Sequence, residues 1–183
     1  WRGRKIPFAT VSGLRPTQDR VRETLFNWVA DGISGARCLD LYAGTGALGL
    51  EALSRGAKQV DFVELSNVAS SALNDNLKKL PIEQDQIAKV EQMSSFDWLR
   101  RYKNNSQAIG QAKPYNLVLL DPPFALAIMQ DTLTALFEAQ CLAPKALIYV
   151  EQATALSELE LPAGWTLYRS KKAGQVFYGL ISC

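Results

Sequence analysis

The chain has 183 residues, 48% hydrophobic and 21% charged, with a formal net charge of +2; this suits one globular domain rather than a disordered chain. No apolar run approaches the length of a membrane span and no signal-like apolar segment stands near Trp1, so a cytoplasmic protein without membrane contact is expected. The absence of histidine removes the commonest general base, and three widely spaced cysteines, Cys38, Cys141 and Cys183, fit a reducing compartment and predict no metal site.

In chain order, Trp1 to Thr17 contains Gly3, Pro7, Gly13 and Pro16 around short apolar stretches and reads as a hairpin or extended arm. Because Trp1 is not a methionine, residues ahead of it are expected. Residues 1–22 carry Arg2, Arg4, Lys5, Arg15, Arg20 and Arg22 against Asp19 alone, and residues 165–183 carry Arg169, Lys171 and Lys172 with no acid. The stretch between is acidic. Basic ends on an acidic body suit a polyanion held beside a pocket, or a solvated basic tail. Thr17 can cap a helix over roughly 18–30, where Val21, Leu25, Trp28 and Val29 recur at helical spacing. Residues 1–17 are therefore read as an arm and 18–183 as the core of a single domain.

Arg37 to Leu41 is the first predicted strand, followed by a glycine loop and a helix through about Arg55. Gln59 to Glu64 is the second strand. Ser66 caps the next helix and Pro81 closes it. Ile87 to Gln92 is the third strand, with a short helix around Phe96 to Tyr102 and a polar loop from Asn104 to Lys113. Tyr115 to Leu120 is the fourth strand, a helix covers about 127–139, and Ala146 to Glu151 is the fifth strand. Trp165 to Lys171 and Gln175 to Ile181 flank Ala173-Gly174 as an antiparallel hairpin. This alternation predicts an α/β, doubly wound sheet closed by a hairpin.

Two motifs carry chemistry. Gly44, Gly46 and Gly49 satisfy G-x-G-x-x-G between a strand and a helix, and Glu64 ends the next strand, where an acid can take ribose hydroxyls. A dinucleotide would place pyrophosphate at the helix start. Asp40 sits just before that loop, where it repels phosphate and favours a cationic ligand such as S-adenosylmethionine; a plain turn cap is the other reading of Asp40. The second motif, Asp121-Pro122-Pro123-Phe124, follows a buried strand. Two prolines stiffen the chain and remove two donors, leaving carbonyls free. A carboxylate before them and an aromatic ring after them suit a planar ring bearing an exocyclic amine, although Asp-Pro pairs also simply make turns. Asp40, Glu64, Ser94 and Asp121 all fall at or just past predicted strand ends, the side of such sheets where ligands bind.

These residues resemble the class I S-adenosylmethionine-dependent methyltransferases, and within them the RsmD family of bacterial 16S rRNA (guanine-N2)-methyltransferases. The likeness rests on Trp1-Arg2-Gly3-Arg4-Lys5, Leu14-Arg15-Pro16-Thr17, Asp19 through Asn27, the Asp40–Gly49 loop and Asp121–Phe124. It implies a Rossmann-like seven-stranded sheet and S-adenosylmethionine as cofactor. The substrate it implies is guanine 966 of 16S rRNA in the small ribosomal subunit. Asp40, Gly44 and Gly46 would line the methionine end, Glu64 would take the ribose, and Leu65, Met93 and Ser94 would meet the adenine. Asp121 to Phe124 would hold the target base, with Asp121 also beside the cofactor. Arg2, Arg4, Lys5, Arg15 and Arg20 would bind RNA. A DNA adenine-N6 methyltransferase is an alternative, although no segment is long enough for a separate recognition region. A small-molecule methyltransferase and a non-catalytic RNA-binding module are others. No exposed heptad or long apolar stripe suggests a partner chain, so a monomer is expected.

Overall fold

The computed structural model describes residues 16–109, 113–123 and 127–183; Phe124, Arg2, Arg4, Lys5 and Arg15 lie outside them. Among the described residues seven strands form one sheet: β1 (Arg37–Asp40), β2 (Gln59–Glu64), β3 (Ile87–Gln92), β4 (Tyr115–Leu120), β5 (Leu142–Gln152), β6 (Thr166–Ala173) and β7 (Val176–Ser182). Their order across the sheet is β3-β2-β1-β4-β5-β7-β6. The first five are parallel, and β7 and β6 run antiparallel to their neighbours. The helices are α1 (Pro16–Trp28), α2 (Ala30–Ile33), α3 (Ala47–Ser54), α4 (Asn67–Lys79), α5 (Ser95–Ile109) and α6 (Met129–Ala139).

Side chains alternate across each strand, so the sheet has two distinct cores. On one face Cys38, Val60, Phe62, Leu117, Leu119, Tyr149 and Tyr178 meet α1, α2, α3 and α4. On the other, Leu39, Val63, Val118, Leu120, Ile148 and Val150 meet α5 and α6. Near-continuous burial on both faces is what a parallel sheet between helical layers requires.

Several boundaries differ from the sequence reading by a residue or more, three of them notably. The first helix begins at Pro16, because a proline has no N–H to lose in a first turn and already has a helical φ. Where a loop is predicted from Asn104, α5 continues to Ile109. No glycine or proline intervenes before Gly110, and Tyr102 anchors the helix by stacking on Trp98 at 5.4 Å and donating its hydroxyl to the Lys113 carbonyl at 3.2 Å. The fifth strand starts earlier, at Leu142, with a register shift against β4 and Lys145 at a φ of +62°.

Gly49 sets how closely α3 lies on the sheet. A Cβ there would collide with the ring of Phe62, which is fully buried and has nowhere to swing. Gly49→Ala gains at most about 1 kcal/mol of helix propensity but overpacks a filled core, typically costing about 1–3 kcal/mol. The expected outcome is a net loss of stability, read as a lower midpoint in urea denaturation with an unchanged slope.

Candidate active site

At the carboxyl end of β1 the chain enters a tight loop. Asp40 is 2% exposed, and its Oδ2 accepts from the Gly49 N–H at 3.1 Å. It thereby caps the first turn of α3, whose own preceding residue, Gly46, offers no side-chain cap. The loop needs glycine for two reasons. Gly44 and Gly46 have φ values of +52° and +81°, a region costly for residues with a Cβ. A Cβ on Gly46 would also strike Leu73, whereas one on Gly44 would meet only the Tyr42 carbonyl, at 4.0 Å. Gly44 therefore has open space beside it, and Gly46 does not.

Glu64, at the end of β2, locks this loop. One carboxylate oxygen accepts from the Gly44 N–H at 2.7 Å and the other from the Ser66 N–H at 2.7 Å. Ionised carboxylate oxygens each offer more than one acceptor site, so both can take a further donor. On the opposite face the Ser95 hydroxyl donates to the Leu41 carbonyl at 2.5 Å, and the hydroxyls of Tyr42 and Thr132 meet at 2.5 Å, tying the rim to α5 and α6.

Asp121 leaves β4 half-buried, followed by buried Pro122 and exposed Pro123. Beside it, one position past the Leu120–Val150 pair of the β4–β5 register, stands Glu151. Glu151 is buried, and the Tyr149 hydroxyl donates to its Oε2 at 2.7 Å. The side-chain parity of the four strands places Glu64, Asp40, Asp121 and Glu151 on one face, in consecutive order over β2, β1, β4 and β5. Glu151 and its Tyr149 partner are the functional candidates that sequence reasoning missed. The signal was available, because the predicted fifth strand ends on that acid just as the second ends on Glu64.

Crowding shifts the proton affinities in one direction. Burial, partly offset by the Gly49 and Tyr42 N–H groups, pushes the Asp40 carboxyl up to about 7. Burial, then the charges of Glu151 and Asp40, holds Asp121 well above the usual carboxylate range. Burial also raises Glu151, against the lowering effect of the Tyr149 hydroxyl. The row gains from any positive charge brought against it.

The remaining candidates sit around this rim. Leu65 is 71% exposed and Val68 81% exposed, next to Glu64 at the start of α4. The Met93 N–H donates to the Glu64 carbonyl at 3.2 Å. The Ser94 hydroxyl donates to Asp97 Oδ2 at 2.7 Å and accepts from the Asp97 N–H at 3.1 Å, so it serves as the cap of α5. Arg20 is exposed on α1, and the Thr24 hydroxyl folds back to its carbonyl at 2.8 Å. A cavity of about 440 Å³ opens beyond Asp121, between Pro122, Pro123, Met129, Gln152, Thr154 and Glu158. A smaller one of about 210 Å³ faces the other way. Four of its charged residues are already paired, Arg37 with Asp61 and Arg101 with Glu91, and it lies away from the carboxyl-end rim where such sheets bind ligands.

Known proteins share this chain nearly end to end. The family model described as "Conserved hypothetical protein 95" matches residues 1–182. The ribosomal RNA small subunit methyltransferase D of Escherichia coli (strain K12) is 43% identical over 180 residues, covering 98% of this chain and 85% of its own. Its namesake from Haemophilus influenzae is 43% identical, with coverages of 98% and 89%. The solved structure of yhhF from Escherichia coli superposes with a TM-score of 0.82 at 44% identity, covering 100% of this chain and 93% of that one. With the whole length matched at such identity, this chain belongs to the conserved hypothetical protein 95 family, the family of the ribosomal RNA small subunit methyltransferase D proteins.

Proposed function

We propose that this chain is an S-adenosylmethionine-dependent enzyme that methylates the exocyclic N2 amine of a guanine in 16S rRNA. By resemblance the target is guanine 966 in the small ribosomal subunit, and the enzyme acts as a monomer in the cytoplasm. The observation that carries this reading is the row of Glu64, Asp40, Asp121 and Glu151 along one face of the rim. Such a row disfavours pyrophosphate and suits a ligand bearing a sulfonium and an ammonium. The residues fit that ligand. Gly44 leaves room for close approach, with Gly46 shaping the turn; Asp40 supplies charge from beneath; Glu64 keeps acceptor capacity for the ribose. Leu65 and Val68 offer apolar surface to the adenine. Because the Ser94 hydroxyl is committed to α5, adenine-edge contacts at Met93 and Ser94 fall to main-chain atoms.

S-adenosylmethionine, when bound, supplies a methyl whose bond to sulfur breaks with its electrons passing to sulfur. The protein's part is to prepare the nucleophile. Asp121 and the Pro122 carbonyl accept the two N–H bonds of the guanine amine, drawing its lone pair out of conjugation and toward the methyl. Orientation and electrostatics then supply most of the acceleration. The ionised Asp121 carboxylate, whose proton affinity is raised by burial and by the charges of Glu151 and Asp40, takes the proton released from nitrogen. The base must leave its stack; the cavity beyond Pro122 and Pro123 receives it, and Phe124 stacks on it, a contact worth ~1–3 kcal/mol. Arg2, Arg4, Lys5, Arg15 and Arg20 hold phosphates.

The direct test is transfer of labelled methyl to unmodified small subunits, naked 16S rRNA and DNA in parallel, with nucleoside analysis. N2-methylguanosine in rRNA is expected, and methyladenine in DNA would overturn the assignment. In the same assay Asp121→Ala should lose methyl transfer while keeping cofactor affinity within about tenfold, since it removes an acceptor used mainly in the transition state.

Proton linkage gives a second prediction. Asp40 in the free protein titrates at about 7, and a cationic ligand favours its ionised form, so binding must release protons. Cofactor affinity should therefore climb as pH rises from about 6 and level off above about 8. Calorimetry across that range should record the climb, and Asp40→Asn, which keeps an acceptor for the Gly49 N–H, should flatten it.

A further inference from the structure

We propose that Arg169 and Lys171, set against the stacked Trp28–Tyr178 pair, form a phosphate-binding ledge for the RNA backbone next to the target nucleotide; this rests on the rRNA reading above. The strand registers align the parts. Lys171 of β6 pairs with Tyr178 of β7, and Tyr178 pairs with Glu151 of β5. Glu151 in turn stands beside Asp121. Lys171, Tyr178, Glu151 and Asp121 thus form one row across four adjacent strands. At about 4.8 Å between strands, Lys171 lies roughly 10 Å from Glu151 and 14 Å from Asp121. Because β5 and β6 are each antiparallel to β7, β6 runs parallel to β5, and its Lys171 end comes to the active-site rim.

The cations are organised rather than scattered. Trp28 stacks on Tyr178 with ring centroids 5.6 Å apart and planes 24° apart. Lys171 Nζ lies 5.7 Å from the Trp28 ring centroid and Arg169 Cζ 5.9 Å from it, so one indole gathers both charges. Arg169 also lies 5.2 Å over Tyr168, which is 57% exposed. Several other surface cations have acidic partners: Arg22 with Asp19, Arg55 with Glu51, Lys58 with Asp85 and Lys103 with Glu138. Neither Arg169 nor Lys171 has a carboxylate within ion-pair distance among the described residues, and residues 165–183 contain no acid. Two neighbouring cations without a counter-charge suit a polyanion. The acid row repels phosphates from the cofactor side, so a strand delivering its base to Asp121 is drawn toward β6.

The test uses Arg169→Gln/Lys171→Gln, which keeps part of each apolar stem against Trp28. Binding to naked 16S rRNA is measured by fluorescence anisotropy over a salt series, with cofactor affinity as the check on folding. Loss of two phosphate contacts should weaken RNA binding at least tenfold and make the slope of log K against log salt shallower by about 1.4–1.8. In methyl transfer KM for RNA should rise with kcat within about twofold. The control Lys58→Ala/Lys113→Ala removes two charges at the opposite ends of β2 and β4 and should leave the slope nearly unchanged. An unchanged slope in the double Gln variant overturns the ledge. So does weakened binding confined to assembled subunits, which would assign these residues to a protein contact. The binding arm reads the ledge whether or not methyl is transferred; absence of methyl transfer by the unaltered chain would instead sink the rRNA-methyltransferase reading.

Discussion

The two-residue alternation of a β-strand governs this site. Asp40, Glu64, Asp121 and Glu151 come from four separate stretches of chain, yet each lies on the same face within one residue of the carboxyl end of its strand. A one-residue slip in any of these strands would turn its carboxylate to the other face. Phe62, Leu119 and Tyr149, two positions earlier on β2, β4 and β5, are fully buried on the same face. The packing of α1, α3 and α4 on those side chains therefore holds the acids in register, and the chemistry inherits its geometry from the core.

That arrangement carries a cost. Gathering like charges in a poorly hydrated place raises their proton affinity, as at Asp40 and Asp121. Part of the strain is relieved locally: Asp40 and Glu64 are engaged by main-chain N–H groups and Glu151 by a tyrosine hydroxyl. These bonds also stiffen the glycine loop, so the rim is organised before anything reaches it, and pre-organised sites lose less entropy on binding.

Much of this was legible in the sequence because it is local. Gln59–Glu64, Ile87–Gln92 and Tyr115–Leu120 are strands over the predicted residues, their ends marked by apolar runs and turn formers. Ser66 caps its helix as its position predicts, accepting from the Ala69 N–H at 3.3 Å. What escaped depends on tertiary neighbours. Polar residues after Asn104 look like a loop until Trp98 and Tyr102 are seen anchoring the helix that carries them. The capping role of the Ser94 hydroxyl is visible only once Asp97 is seen to engage it. Glu151 is one acid among many until the register sets it beside Asp121. Asp40 caps the helix that follows the loop, a contact that only the tertiary fold reveals. No periodicity announces that Lys171, Tyr178 and Glu151 share a row, since strand order is not written in any one strand.

The two outer strands bear on a different matter, how the protein behaves in a crowded solution. An open sheet ends in unpaired backbone donors and acceptors, which invite another chain to add a strand. Here β3 presents Lys89 and Glu91 and β6 presents Arg169, Lys171 and Lys172 at those borders. Two copies meeting through β6 would bring like charges together, which opposes edge-to-edge aggregation. A basic border strand thus keeps the sheet finite during the intervals when no polyanion lies against it.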